Sequence, residues 1–280
     1  MKKYSALPIL FFLFVINAFS QLTYTLKDLA GTYVYSSGFV GASFSLKGDG
    51  SYEYRTFSDC CDPVWKQVGT YTIKENVVHF KIIQYTLNQY NLFEPKERKE
   101  ALVKLYREKE EDIKDEKVET ENEMHIVRWG ERLYLLNYTD LYKFTAAVNL
   151  GVEPRAGIIH RDFLSTFFYL RSSDESKIVS GKPILPKEWI SYILDSPLTA
   201  KITKIEGEKR ERKFTINKGS QDGLKVGMCF IGENTKIDYE NLVWVTSVEK
   251  HSAKLEDLSL IYPPDYKIGD ILTTKSYKGH

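Results

Sequence analysis

Residues 29–83 read LAGTYVYSSGFVGASFSLKGDGSYEYRTFSDCCDPVWKQVGTYTIKENVVHFKII, and this stretch decides the fold. Apolar and aromatic side chains alternate with polar ones in short runs bounded by Gly, Ser, Asn or Asp. That alternation is the period-two pattern of half-buried strands. Gly31–Tyr35 is the first run, broken by Ser36-Ser37-Gly38. Ala42–Leu46 puts Ala42, Phe44 and Leu46 on one face and ends at Gly48-Asp49-Gly50, a hairpin signal. Tyr52–Phe57 follows. Gly69-Thr70-Tyr71 repeats the opening Gly-Thr-Tyr and starts a strand to Ile73, and Glu75-Asn76 turns the chain into Val77–Ile83. Five strands in about 55 residues make a meander.

Further along the chain the pattern changes. Residues 94–123 are dense in Lys, Arg and Glu, with a thin stripe of Leu102, Leu105 and Tyr106, and predict a solvated helix over 96–117. Strand patterning resumes at Met124–Trp129 and Arg132–Leu136 across a Gly130-Glu131 turn. Seven strands on the two sides of a charged helical excursion suggest one sheet, a barrel or half-barrel; periodicity does not show closure. Thr139 or Asp140 caps a helix from Leu141 to about Asn149, stopped by Gly151 and Pro154. A link with a strand over 163–170 and a short helix from Pro186 to Leu194 carries Trp189 and Ile193 inward. Residues 199–276 then read as a second β domain with strands 200–205, 213–216, 228–231, 242–248, 253–258 and 271–274. Six short strands of this kind suit a small SH3-like barrel. The expected organisation is a leader at 1–20, a β domain at 21–160, a link at 161–198 and a small barrel at 199–276.

Lys2 and Lys3, the apolar run LPILFFLFVI at 7–16 and the small residues Ala18 and Ser20 have the form of a cleavable export signal. The run is too short to span a bilayer core of roughly 30 Å. The expected product is periplasmic or secreted, with no transmembrane segment in the mature chain. With 39 Lys+Arg against 38 Asp+Glu the chain has no global basic field, which argues against a nucleic-acid partner. Hydrophobic residues at 42% and charged ones at 28% are those of a globular protein.

The segments LAGTYVY, LKGDGSYEY, WKQVGTYTI and VVHFKI together resemble the lipocalin-like domains of secreted bacterial proteins. The charged excursion is a departure from a plain ligand-enclosing barrel. In the second domain, ITKIE, FTINKGSQDGLKVGM, VTSVE and YKIGD resemble small β-barrel modules of bacterial envelope proteins. The C-terminal domain of a flagellar assembly protein and the barrels of the rod-shape protein MreC are of this kind. The matching positions are Asn217, Gly219, Gly223, Leu224 and Gly227. The resemblance implies structural or interaction units and brings no catalytic residue.

Candidate chemistry is sparse. Tyr33, Tyr35, Tyr52, Tyr54 and Trp65, with Trp129, Arg132, Tyr134 and Tyr138 of the second hairpin, can line an aromatic pocket or glycan-binding face. They can equally be core and cross-strand pairs. The adjacent Cys60 and Cys61, flanked by Asp59 and Asp62, can form a vicinal disulfide, pack as thiols or bind a soft metal. With Cys229 far away, the odd number leaves at least one thiol free or paired between chains. The five histidines have no zinc-ligand spacing, and neither G-x-S-x-G nor a P-loop occurs. Glu153, Arg155, His160 and Arg161 can hold an anion or brace a loop. The expectation is therefore no enzyme, cofactor or metal. Two roles stand open: a binding or scaffolding protein of the envelope with a protein partner, or a carrier or sensor of a small apolar ligand. A hydrolase, the third possibility, would need a histidine brought near a nucleophile in space.

Overall fold

The computed structural model describes residues 23–36, 40–58, 64–88, 121–153, 168–208, 211–235, 241–257 and 264–275. The leader, the expected helix over 96–117, Cys60, Cys61 and the cluster at Arg155, His160 and Arg161 lie outside the described residues.

The first body is a closed antiparallel barrel of eight strands in sequence order. They are β1 (Gly31–Ser36), β2 (Val40–Leu46), β3 (Ser51–Ser58), β4 (Val64–Lys74), β5 (Val77–Asn88), β6 (Glu121–Trp129), β7 (Arg132–Leu136) and β8 (Tyr169–Arg171). Closure comes from β8, which pairs with β7 at Leu135↔Tyr169 and with β1 at Val34↔Leu170 and Tyr33↔Arg171. Three residues thus turn a seven-stranded meander into a ring without an edge. They come from the stretch that the sequence presents as part of the link.

Register decides which side chains turn inward. Tyr33↔Phe44, Phe44↔Tyr54 and Leu46↔Tyr52 place these rings on the inner face, where Tyr71, Phe80, Met124, Ile126, Leu133 and Leu135 join them. Gly69 sits opposite Tyr52, at the register shift between β4 and β5. A Cβ there would lie 2.0 Å from the Lys81 carbonyl and 2.8 Å from the Tyr52 ring, so a bulge glycine is what lets that ring in. Helix α1 (Leu26–Leu29) closes this end of the barrel. Its start is latched by a capping box, with Thr25 N–H on Asp28 Oδ2 at 2.8 Å and Asp28 N–H on Thr25 Oγ1 at 3.3 Å. The Tyr33 hydroxyl donates to the Leu29 carbonyl at 3.0 Å, and that of Tyr71 to the Lys47 carbonyl at 2.7 Å.

The second body is a closed barrel of six strands: β9 (Thr199–Glu206), β10 (Lys213–Ile216), β11 (Cys229–Gly232), β12 (Val243–Val248), β13 (Ala253–Asp257) and β14 (Ile271–Thr273). Their spatial order is β10-β13-β12-β11-β14-β9, and β9 pairs with β10 to close the ring. The turn after β10 is built on glycines. Gly223 and Gly227 have φ of +87° and +88°, and Leu224 is buried in the barrel core. Gly219 leaves no room for a side chain, since a Cβ would meet the Glu249 carbonyl at 2.4 Å.

Helix α2 (Leu141–Asn149) lies between the bodies. Leu141, Phe144 and Val148 pack on the outer wall of the first barrel, against Val127, Trp129, Tyr134, Leu136, Phe168 and Leu170. Ala146, Ala147 and the following Leu150 pack on Cys229, Ile231, Leu242 and Trp244, the outer wall of the second. A strap at 178–185 covers the first wall as well, bridging Arg128 to Ile184. It leads to the one-turn helix α3 (Lys187–Ile190), which brings Trp189 and Ile193 onto the same cluster.

Candidate functional site

The aromatic residues singled out in the sequence do not form one site. Tyr33, Tyr35, Tyr52 and Tyr54 all face the interior of the first barrel, whereas Trp129 and Tyr134 face outward beneath α2. The period of two puts residues 124 and 126 inside and 127 and 129 outside, so β6 and β7 carry their large rings away from the other four. Trp129 Nε1 donates to the Gly181 carbonyl of the strap at 2.9 Å, and Tyr134 packs edge-on to Phe144 of α2. Trp65 belongs to β4, and its side chain lies outside the described residues.

Arg132 is a staple, not a pocket residue. It is 2% exposed, with Nε donating to the Lys177 carbonyl and Nη2 to the Glu175 carbonyl, both at 2.7 Å. Its remaining nitrogen pairs with Glu153 beyond α2. Beside it, the fully buried Asp174 accepts from the Leu133 N–H at 3.1 Å, Arg171 Nε at 2.8 Å and Lys177 Nζ at 2.7 Å. Burial alone would raise this carboxyl, but the Arg171 and Lys177 donors more than reverse that and hold it below the ordinary aspartate range.

Within the first barrel the rings interlock. Phe44 is the hub, with centroids 4.6 Å from Tyr54, 4.8 Å from Phe80, 5.0 Å from Tyr169 and 6.3 Å from Tyr52. Tyr33 and Tyr52 are buried here, toward α1. Tyr35 and Tyr54 are half-buried toward the opposite end, with Tyr169 of β8 beside them. The Tyr169 and Tyr54 hydroxyls share a hydrogen bond, and burial pushes both above the ordinary tyrosine range. Tyr54 and Tyr169 against Phe44, with Tyr35 packed on Tyr169, give this end an amphipathic lining. Tyr169 was not singled out in the sequence because its strand was assigned to the link and not to the first barrel.

A second group of rings lies on the surface where the link meets both barrels. Tyr138 packs against Trp189 at 5.7 Å, Trp189 against Tyr192 at 4.6 Å, and Lys225 Nζ sits 5.1 Å from the Tyr192 ring centre. Tyr138, Ile190 and Val226 are 51%, 55% and 53% exposed, while Trp189 and Tyr192 are half-buried, which leaves a partly exposed apolar strip. His125 borders it, 5.4 Å from Tyr138, and burial lowers its pKa. Of these residues the sequence had pointed to Tyr138 and Trp189, the one as part of a hairpin pocket and the other as inward-facing. The link between them is tertiary.

The chemistry of the remaining groups is modest. Among the described residues no three His, Cys, Asp or Glu side chains are grouped to hold a metal ion. Cys229 is enclosed between α2 and β12, and burial pushes its thiol up, away from the reactive thiolate. Among the described residues no helix is long and apolar enough to cross a membrane. No protein family, curated protein or solved structure matches the chain.

Proposed function

We propose that this chain is a non-enzymatic binding or scaffolding protein of the bacterial cell envelope, working through its outer surface. One observation carries this reading: the interior of the first barrel is occupied by its own interlocked rings, while Tyr138, Ile190 and Val226 are exposed beside the half-buried rings of Trp189 and Tyr192. Large aromatic side chains in solvent are unfavourable unless something covers them, and Trp and Tyr are the residues enriched as anchors in protein interfaces. The export signal expected at residues 1–20 supports the location. The likeness of residues 199–276 to interaction modules supports the role. The test is photo-crosslinking in intact envelopes, with a photoreactive amino acid at position 190 on the strip and, as control, at exposed position 83. One discrete adduct from position 190, lost in Trp189→Ala, is expected. Equal labelling from both positions would overturn the reading.

A second reading, a carrier or sensor of a small apolar ligand, is favoured by the half-buried Tyr35 and Tyr54 beside Tyr169. An eight-stranded up-and-down barrel has the strand number of lipocalins. Native mass spectrometry of delipidated protein challenged with fatty acids and isoprenoids checks it. An adduct lost in Tyr54→Ala supports this reading, and its absence for every ligand sinks it.

A further inference from the structure

We infer that the two barrels are a single cooperative body with α2 as a shared core element, so that they open and unfold together instead of as two independent domains. This does not depend on the function proposed above.

The argument begins with the second barrel. Met228, Phe230, Val243 and Val245 fill its interior, as the inner face of a barrel requires. The alternate positions Cys229, Ile231, Leu242 and Trp244 should then meet water, yet they are apolar and 0–4% exposed. What covers them is the first barrel's own helix. Ala146 and Ala147 present only methyl groups, so the α2 backbone lies close on β11 and β12, and Tyr142 packs edge-on to Trp244 at 5.4 Å. The other side of the same helix covers Val127, Trp129, Tyr134 and Leu136. A helix buried on both sides has no face to give to water, and parting the barrels would expose apolar side chains on both.

Polar contacts fix the arrangement. Asn149, at the end of α2, donates from Nδ2 to the Tyr192 carbonyl at 2.7 Å and accepts from the Leu194 N–H at 3.0 Å. Its own carbonyl accepts the Lys275 N–H at 2.6 Å, tying it to the chain just after β14. One residue of the first body is thereby bonded to the entry and the exit of the second. Inter-domain contacts made mainly of exposed polar groups permit relative motion; this one is apolar at its centre and satisfied at its rim.

The consequence reaches the surface. The exposed strip draws Tyr138 from the first barrel's connection, Trp189 and Tyr192 from the link, and Lys225 and Val226 from the second barrel. It is a composite that exists only while the barrels are docked.

Hydrogen exchange and thiol labelling of the full exported chain test the inference, both read peptide by peptide by mass spectrometry along a urea series. The slowest amides of β2–β3 and of β12–β13 are expected to share one opening equilibrium. Cys229 should be alkylated by iodoacetamide only through that same opening, on the order of a thousandfold or more slower in buffer than in the unfolded chain. Asn149→Ala is expected to shift both sets of amides to lower urea by the same amount. The inference is overturned if Cys229 labels, or β12–β13 exchanges, at urea concentrations where β2–β3 remains protected. It is equally overturned if Asn149→Ala moves one set of amides alone.

Discussion

Asp174 and Arg132 are, with the buried Asp140–Lys143 pair, residues at which charge is held inside this fold. Asp174 has no exposed side-chain surface and keeps its charge because two cationic side chains and a backbone N–H converge on it. Its folded pKa lies below the unfolded value, so the stability it contributes is complete above that unfolded value, near 4. It is lost as pH falls through the lower folded value. Asp174→Asn should therefore lower the urea midpoint at pH 7, and the gap from the native chain should narrow as pH drops from 4 toward 2. A gap independent of pH would contradict the charged network. Arg132→Ala removes the donor to the Lys177 and Glu175 carbonyls and the ion pair to Glu153, and a loss of about 2–4 kcal/mol in unfolding free energy is expected by chemical denaturation. Asp174 meets its two cations three residues away on either side, whereas the partners of Arg132 could not be read from the chain, since it meets residues 43 and 45 positions away. An arginine next to a turn carries no local sign of burial.

Among the elements, strands were the most legible. The runs 31–35, 42–46, 52–57, 69–73 and 77–83 fall within β1–β5, because alternation with flanking turn residues is a local property. The six strands read in 199–276 match β9–β14 closely for the same reason. The helix at 141–149 was legible from its spacing and stands at the expected residues, but the expected cap is not made, since the Asp140 side chain accepts from Lys143 instead. Its second buried face was not legible. The sign of it lay in the runs Met228–Ile231 and Leu242–Val245, where apolar residues fail to alternate; a barrel strand of that kind is covered on both faces. Arg132–Leu136, buried throughout, is another case. The inner rings supply a direct test of packing. Phe44→Ala removes the hub that Tyr54, Phe80 and Tyr169 surround, and about 3–5 kcal/mol of destabilisation is expected from calorimetry or urea unfolding.

For the whole molecule, the surface strip and the docking of the barrels make separate predictions. Tyr138→Ala removes an exposed ring of the strip without opening either barrel core, so its unfolding midpoint should stay near that of the native chain while the crosslink from position 190 disappears. If stability and crosslinking fall together, the strip is part of the fold and not a contact surface. By itself the sequence determined that this is a two-part β protein and where most strands begin and end. These follow from patterns a few residues long. Only the tertiary structure decided that β8 closes the first ring and that Tyr33 and Tyr52 lie inside while Trp129 and Tyr134 lie outside. The same holds for α2 serving both barrels. Each of these depends on register and on pairing between residues far apart in the chain, where a shift of one position moves a side chain to the opposite face.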